Sequence, residues 1–112
     1  MGRQKLFMLS GTASVVGHES AHPYDIGSQT AETFLNLKLL SQMATSLAVS
    51  QADADWEQSS VLRVYLRHPK DLPFVLHQFH EVLGRDTTNV SFLHADICRD
   101  ELMIEIDGLK LI

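Results

Sequence analysis

Hydrophobic and polar positions along the chain alternate between a period of two and a period near 3.6, the signatures of strands and of helices laid on a sheet. Lys5 to Ala13 reads as a strand running into the small-residue stretch Ser10-Gly11-Thr12-Ala13-Ser14. After the polar loop 17–24, Asp25 is placed to cap a long helix from Ile26 to Val49. On its wheel Phe34, Leu37, Leu40, Met43, Ala44, Leu47 and Ala48 share one half. Leu35 and Leu39 fall off that stripe, against a second surface or in solvent. Ser50 to Gln58 is a polar loop holding Trp56. Val61 to His68 alternates, with Leu62, Val64 and Leu66 on one face and Arg63, Tyr65 and Arg67 on the other. Asp71 is expected to cap a second helix, with Pro73 in its first turn, Leu72, Val75, Leu76, Phe79, Val82 and Leu83 on its apolar face, and Gly84 as its stop. Two last strands, about Val90–Ile97 and Leu102–Leu111, flank the turn Arg99-Asp100-Glu101.

The order β-α-β-α-β-β predicts an α+β fold, a two-layer sandwich with a mixed sheet and both helices on one face. At 112 residues it is one domain, spanning 1–112. Leu93, Ala95, Ile97, Ile104 and Ile106 then face the helices. Arg63, Tyr65, Arg67, His94, Asp96, Cys98, Met103, Glu105 and Asp107 are left on the uncovered face. A small sheet with one bare, half-apolar face commonly buries it against further subunits.

Composition narrows the function classes. The apolar fraction is 45% and the charged fraction 21%, and no apolar run is long enough to span a bilayer. The start, Met1-Gly2-Arg3-Gln4-Lys5, lacks the apolar segment of a secretory signal. With one cysteine, Cys98, no internal disulfide forms, which suits a reducing cytoplasm. A net charge of −5 without a basic stripe argues against nucleic acid as a partner. His18 and His22 sit in a Pro-containing loop, and His77 and His80 share a helical face without an obvious third ligand. No metal and no other cofactor is expected.

Arg63, Tyr65 and Arg67 at i, i+2, i+4 form a ready carboxylate-binding surface, because guanidinium forks match planar anions. The alternative is a subunit ion-pair network with Asp96, Asp107 and Glu105. Glu105, set between Ile104 and Ile106, sits where desolvation raises a carboxyl pKa and fits it for general acid or base work. The alternative is a structural carboxylate paired to an arginine. Cys98 alone is a weak signal, since lone cysteines are usually inert small hydrophobes.

The motifs Leu9-Ser10-Gly11, Ser28-Gln29-Thr30, Val64-Tyr65-Leu66 and Ile104-Glu105-Ile106-Asp107 resemble those of the RidA/YjgF superfamily. Its members are trimers that hydrolyse reactive enamines and imines in clefts between subunits. The longer stretches from Ser10 to Ser20, His22-Pro23, and Ala95-Asp96-Ile97-Cys98-Arg99 are similar to the C-terminal domain of the chorismatases, also known as pteridine-dependent dioxygenase-like proteins. That resemblance implies a homotrimer and a small carboxylated enol ether such as chorismate as partner. It implies Glu105 as the acid protonating the enolpyruvyl methylene so that pyruvate leaves, with Cys98 beside it. Gly11 and Cys98 match the pair of the 3-hydroxybenzoate-forming branch, while Arg63, Tyr65 and Arg67 would hold carboxylates. Chorismatases are about three times longer, with an N-terminal domain, and the chain begins at what is usually the second strand of the superfamily fold. Val90 stands where the deaminases carry a substrate-gripping arginine. An imine deaminase, a non-catalytic carboxylate-binding module and an inert truncated domain are the alternative readings.

Overall fold

The computed structural model describes residues 6–47, 61–82 and 89–111. The chain runs β1 (Leu6–Ala13), β2 (Val15–Val16), β3 (Glu19–Ser20), α1 (Ile26–Leu47), β4 (Val61–Leu66), α2 (Leu72–Glu81), β5 (Val90–His94) and β6 (Ile104–Leu111). The alternation in β4 organises the rest. Leu62, Val64 and Leu66 are buried, and with Ile104 and Ile106 of β6 they meet Phe34 and Leu37 of α1 and Val75 and Phe79 of α2. Both helices therefore cover one face of a four-stranded sheet ordered β1-β6-β4-β5, in which β4 and β5 are parallel and the other pairs antiparallel. Phe79 sits at the core's centre, edge-on to Phe34 at 5.1 Å and to Phe92 at 5.8 Å. Gly108 allows β6 to approach β4 closely, since a Cβ there would stand 2.5 Å from the Val61 carbonyl oxygen. Among the described residues no helix is long and apolar enough to cross a membrane.

Asp25 caps α1 as expected, accepting from the Ser28 backbone N–H at 3.2 Å and the Ser28 hydroxyl at 3.0 Å. The Ser28 N–H is the main reason its pKa falls below 3.8. A depressed pKa contributes stability that is present above 3.8 and is lost as pH falls through the folded value. Asp25→Ala is therefore expected to lower the melting temperature at neutral pH and to lose that effect in acid, as thermal unfolding of both proteins across pH would record. Leu35 and Leu39 are each 50% exposed.

Several expectations are corrected. Asp71 makes no side-chain cap; a 3₁₀ turn, Pro69–Asp71, feeds α2 instead, with Pro73 in the first turn. Val82 is exposed rather than on the apolar face. The loop 17–24 opens as the turn and second strand of the small hairpin β2–β3, in which Val15 pairs with Ser20 and Val16 with Glu19. β5 ends at His94 and β6 starts at Ile104, so Ala95 to Met103 is a loop that breaks the period-two reading. Parallel register pairs Leu66 with His94 and Tyr65 with Leu93. His94 is thus on the helix side and Leu93 on the open face, the reverse of the expectation. Asp96 and Cys98 are exposed loop residues, not strand residues. Met103, expected on the uncovered face, is 4% exposed. The Trp56 loop, Leu83, Gly84 and the side chains of Met43, Ala44, Leu47 and Ala48 lie outside the described residues.

Candidate functional site

Antiparallel pairing of β1 with β6 shifts register between Leu9 and Thr12, so Ser10 and Gly11 together stand opposite Asp107. Such a bulge bends the edge strand and re-aims its neighbours. At Gly11 a Cβ would come within 3.0 Å of both Cδ and Oε1 of Glu105. The missing side chain is therefore the space into which the Glu105 carboxyl folds. Glu105 is the second residue of β6, in register with Ala13 on one side and Tyr65 on the other. Partial burial raises its pKa above 4.5, the nearby Asp107 adds to the rise, and no hydrogen bond among the described residues opposes them. Among the described residues no arginine pairs with it.

The arginine goes elsewhere. Arg63 grips both oxygens of Asp107, Nε at 2.8 Å and Nη2 at 2.9 Å, and the Tyr65 hydroxyl donates to the same carboxylate at 3.0 Å. Arg63 and Asp107 face each other across β4 and β6, so the strand pairing brings this cluster together. Part of the expected ion-pair network is thus present, within one chain.

Arg67, expected to bind an anion, is committed to the loop after β5. Its Nε donates to the Leu102 carbonyl at 2.9 Å, and Nη2 to those of Ile97 at 2.8 Å and Arg99 at 2.9 Å. Its remaining Nη1 lies 3.6 Å from the exposed Asp96. The same loop is held from α1 by Gln29, which is fully buried. Gln29 accepts from the Met103 N–H at 2.7 Å and donates to the carbonyls of Glu101 at 2.7 Å and His22 at 2.9 Å. His22 and Tyr24 hold positive φ angles, 55° and 63°, which tertiary bonds of this kind must sustain. Ile97 and Leu102 bury with Ala13 in a second apolar cluster beneath the loop. Irregular backbone is here rigidly braced.

Where the bulged edge, the loop and α1 meet there is a cleft of about 470 Å³. Glu105, Gly11, Thr12, Asn36, Cys98 and Arg99 supply its polar groups, and Ala13, Val15, Leu39, Leu40 and Leu102 its apolar wall. The Asn36 amide ties the helix to β1 by donating to the carbonyls of Ala13 at 2.9 Å and Val15 at 3.1 Å. Of the residues singled out from the sequence, Glu105, Cys98 and Gly11 line this cleft together. Arg63 and Tyr65 lie outside its lining, and Arg67 braces the loop that forms one wall. Sequence reasoning missed Thr12, Asn36, Leu39, Leu40 and Arg99 as lining residues, and Gln29 as a brace. The signal for Gln29 was present: it recurs with Thr33 and Leu37 at intervals of four along the buried side of α1.

No family model matches the chain. It is 33% identical over 105 residues to a 3-hydroxybenzoate synthase of Streptomyces hygroscopicus, a match covering 92% of this chain and 30% of that protein. To a chorismatase of Streptomyces rapamycinicus it is 34% identical over 111 residues, covering 94% of this chain and 31% of the other. The chain thus spans about 30% of the length of the curated relatives it matches. Among solved structures, the Rid-family protein YyfB of Yersinia pestis superposes with a TM-score of 0.74 at 22% identity, over 96% of this chain and 79% of that one. A chorismatase crystal structure superposes with a TM-score of 0.67 at 24% identity, over 93% of this chain and 31% of that one. The chain is therefore homologous to about a third of a chorismatase, on the fold that the Rid/YjgF proteins share.

Proposed function

We propose that this chain is a chorismatase-like domain whose cleft takes a small carboxylated enol ether such as chorismate, with Glu105 as the acid that starts release of pyruvate. The observation carrying this reading is the Glu105 carboxyl: half-buried, raised in pKa, paired with no arginine among the described residues, and set against Gly11 at the cleft wall. Adding a proton to the terminal methylene carbon of an enolpyruvyl ether leaves an oxocarbenium ion, which water or an elimination resolves into pyruvate and the ring product. A carboxyl that holds its proton more tightly than usual is suited to that step. Cys98 shares the cleft and would shape the space around the ring.

The proposal includes a homotrimer. Met8, Val61, Leu93 and Leu109 are all exposed, and strand register places them on the open face with Tyr65 and the Arg63–Asp107 pair. An exposed apolar face of this kind favours burial between copies. A monomeric profile in light scattering at micromolar concentration would contradict it.

The functional test is chorismate consumption, followed by absorbance and by assay of pyruvate. Turnover by the purified chain supports the proposal. Binding without pyruvate assigns a non-catalytic carboxylate-binding module instead, and neither binding nor turnover rejects both. Gly11→Val is expected to displace the Glu105 carboxyl, because even a Cβ arrives at 3.0 Å and a branched side chain fills the space. The expected result is a fall in kcat with a thermal midpoint within a few degrees of the wild type.

A further inference from the structure

A cleft that takes a carboxylate needs a cation, and two arginines nearby are already engaged, Arg63 by Asp107 and Arg67 by three carbonyls. Arg99 differs. It lines the cleft, and its Nη1 donates to the Ser20 Oγ at 3.1 Å. Among the described residues nothing accepts from its Nη2 or Nε. Ser20 gives its own proton to Glu101 Oε1 at 2.8 Å, which leaves the hydroxyl oxygen as the acceptor for Arg99. The Glu101 pKa is lowered by its own backbone N–H and by the Ser20 hydroxyl, and further by the nearby charges of Arg99 and Arg67.

The backbone on both sides is fixed. The Arg99 carbonyl accepts from Arg67, and the Glu101 carbonyl accepts from Gln29 and from the Tyr24 N–H at 3.0 Å. A guanidinium on a braced loop, oriented by the Ser20 oxygen beside the Glu101 carboxylate and with Nη2 and Nε unengaged among the described residues, is prepared for a planar anion. We propose that Arg99, aimed by Ser20 and Glu101, is the carboxylate anchor of the cleft and makes its ligands anionic. This rests on the reading of the cleft given above. It replaces Arg63 and Arg67 in that role.

The test uses 3-hydroxybenzoate and its neutral analogue 3-hydroxybenzamide as probes, titrated calorimetrically into the whole chain. Wild type is expected to favour the acid. Arg99→Gln should weaken the acid roughly 10- to 100-fold, the range for a lost charged hydrogen bond, while the amide is held as before. Arg99→Lys should restore part of the loss, and Ser20→Ala should weaken the acid less than Arg99→Gln does. Equal acid affinity in wild type and Arg99→Gln overturns the anchor, as does an equal loss for acid and amide, which would mean that the cleft has collapsed. A wild type that releases pyruvate while Arg99→Gln keeps its KM for chorismate overturns the anchor alone. A wild type that binds neither probe and releases no pyruvate overturns the functional reading along with it.

Discussion

Glu105→Gln is expected to slow pyruvate release from chorismate by roughly 10²- to 10⁴-fold, the usual contribution of a positioned general acid, while 3-hydroxybenzoate still binds. The amide keeps the shape of the carboxyl and its fit against Gly11, but it has no proton to deliver. A loss confined to kcat would place Glu105 at the chemical step; a rise in KM alone would make it a binding group. The same substitution carries a stability signature of opposite sign. Burial and Asp107 raise the Glu105 pKa above 4.5, so the folded state binds that proton more tightly than the unfolded chain does. Its contribution is fully present below pH 4.5 and is lost as pH rises through the folded pKa. At neutral pH the ionised carboxylate therefore works against folding, and Glu105→Gln should unfold at a higher temperature than wild type. That advantage should vanish below pH 4.5. A gain in stability coupled to a loss of turnover is the expected mark of a group retained for chemistry.

Arg67→Met is expected to destabilise the fold by roughly 2–4 kcal/mol, because three part-buried carbonyls lose charged donors together. The hydrophobic replacement retains the packing of the side-chain stem, so the loss reports the hydrogen bonds and not a cavity. Arg67→Lys should recover little of it, since an ammonium cannot reach three carbonyls with the geometry of a planar fork. Urea unfolding of the three proteins measures this. If Arg67→Met matched wild type, the loop 95–103 would be held by Gln29 and the Ile97–Leu102 cluster alone. The Arg67–Asp96 contact is not counted, because Asp96 is fully exposed and such pairs contribute little.

The layered fold was legible because its strands and helices keep their periods. Leu62, Val64 and Leu66 alternate cleanly, and Phe34 and Leu37 mark the buried side of α1. What misled was the stretch after β5, where an alternating pattern continues through Ala95, Ile97 and Cys98 although the strand has ended. Ile97 is buried there by a loop, under Ala13, and not by sheet pairing. Reading the strand's phase back from Ile97 across that break sent His94 and Leu93 to the wrong faces, and Met103, expected in the last strand, lies buried in the loop before it. Glu105 could be picked out because a carboxylate between two buried isoleucines demands an account. Its relation to Gly11 could not, since the bulge that brings them together depends on the pairing of distant strands. The roles of Arg67 and Arg99 were likewise hidden. Both are cations in sequence, and only the positions of carbonyls and of Ser20 separate a brace from a free donor.

The most direct measurement is a titration of the Glu105 carboxyl carbon by NMR on isotopically labelled protein, with Glu105→Gln identifying its resonance. The account predicts a midpoint above 4.5, moving again when 3-hydroxybenzoate fills the cleft. A midpoint at or below 4.5, unmoved by the ligand, would contradict it.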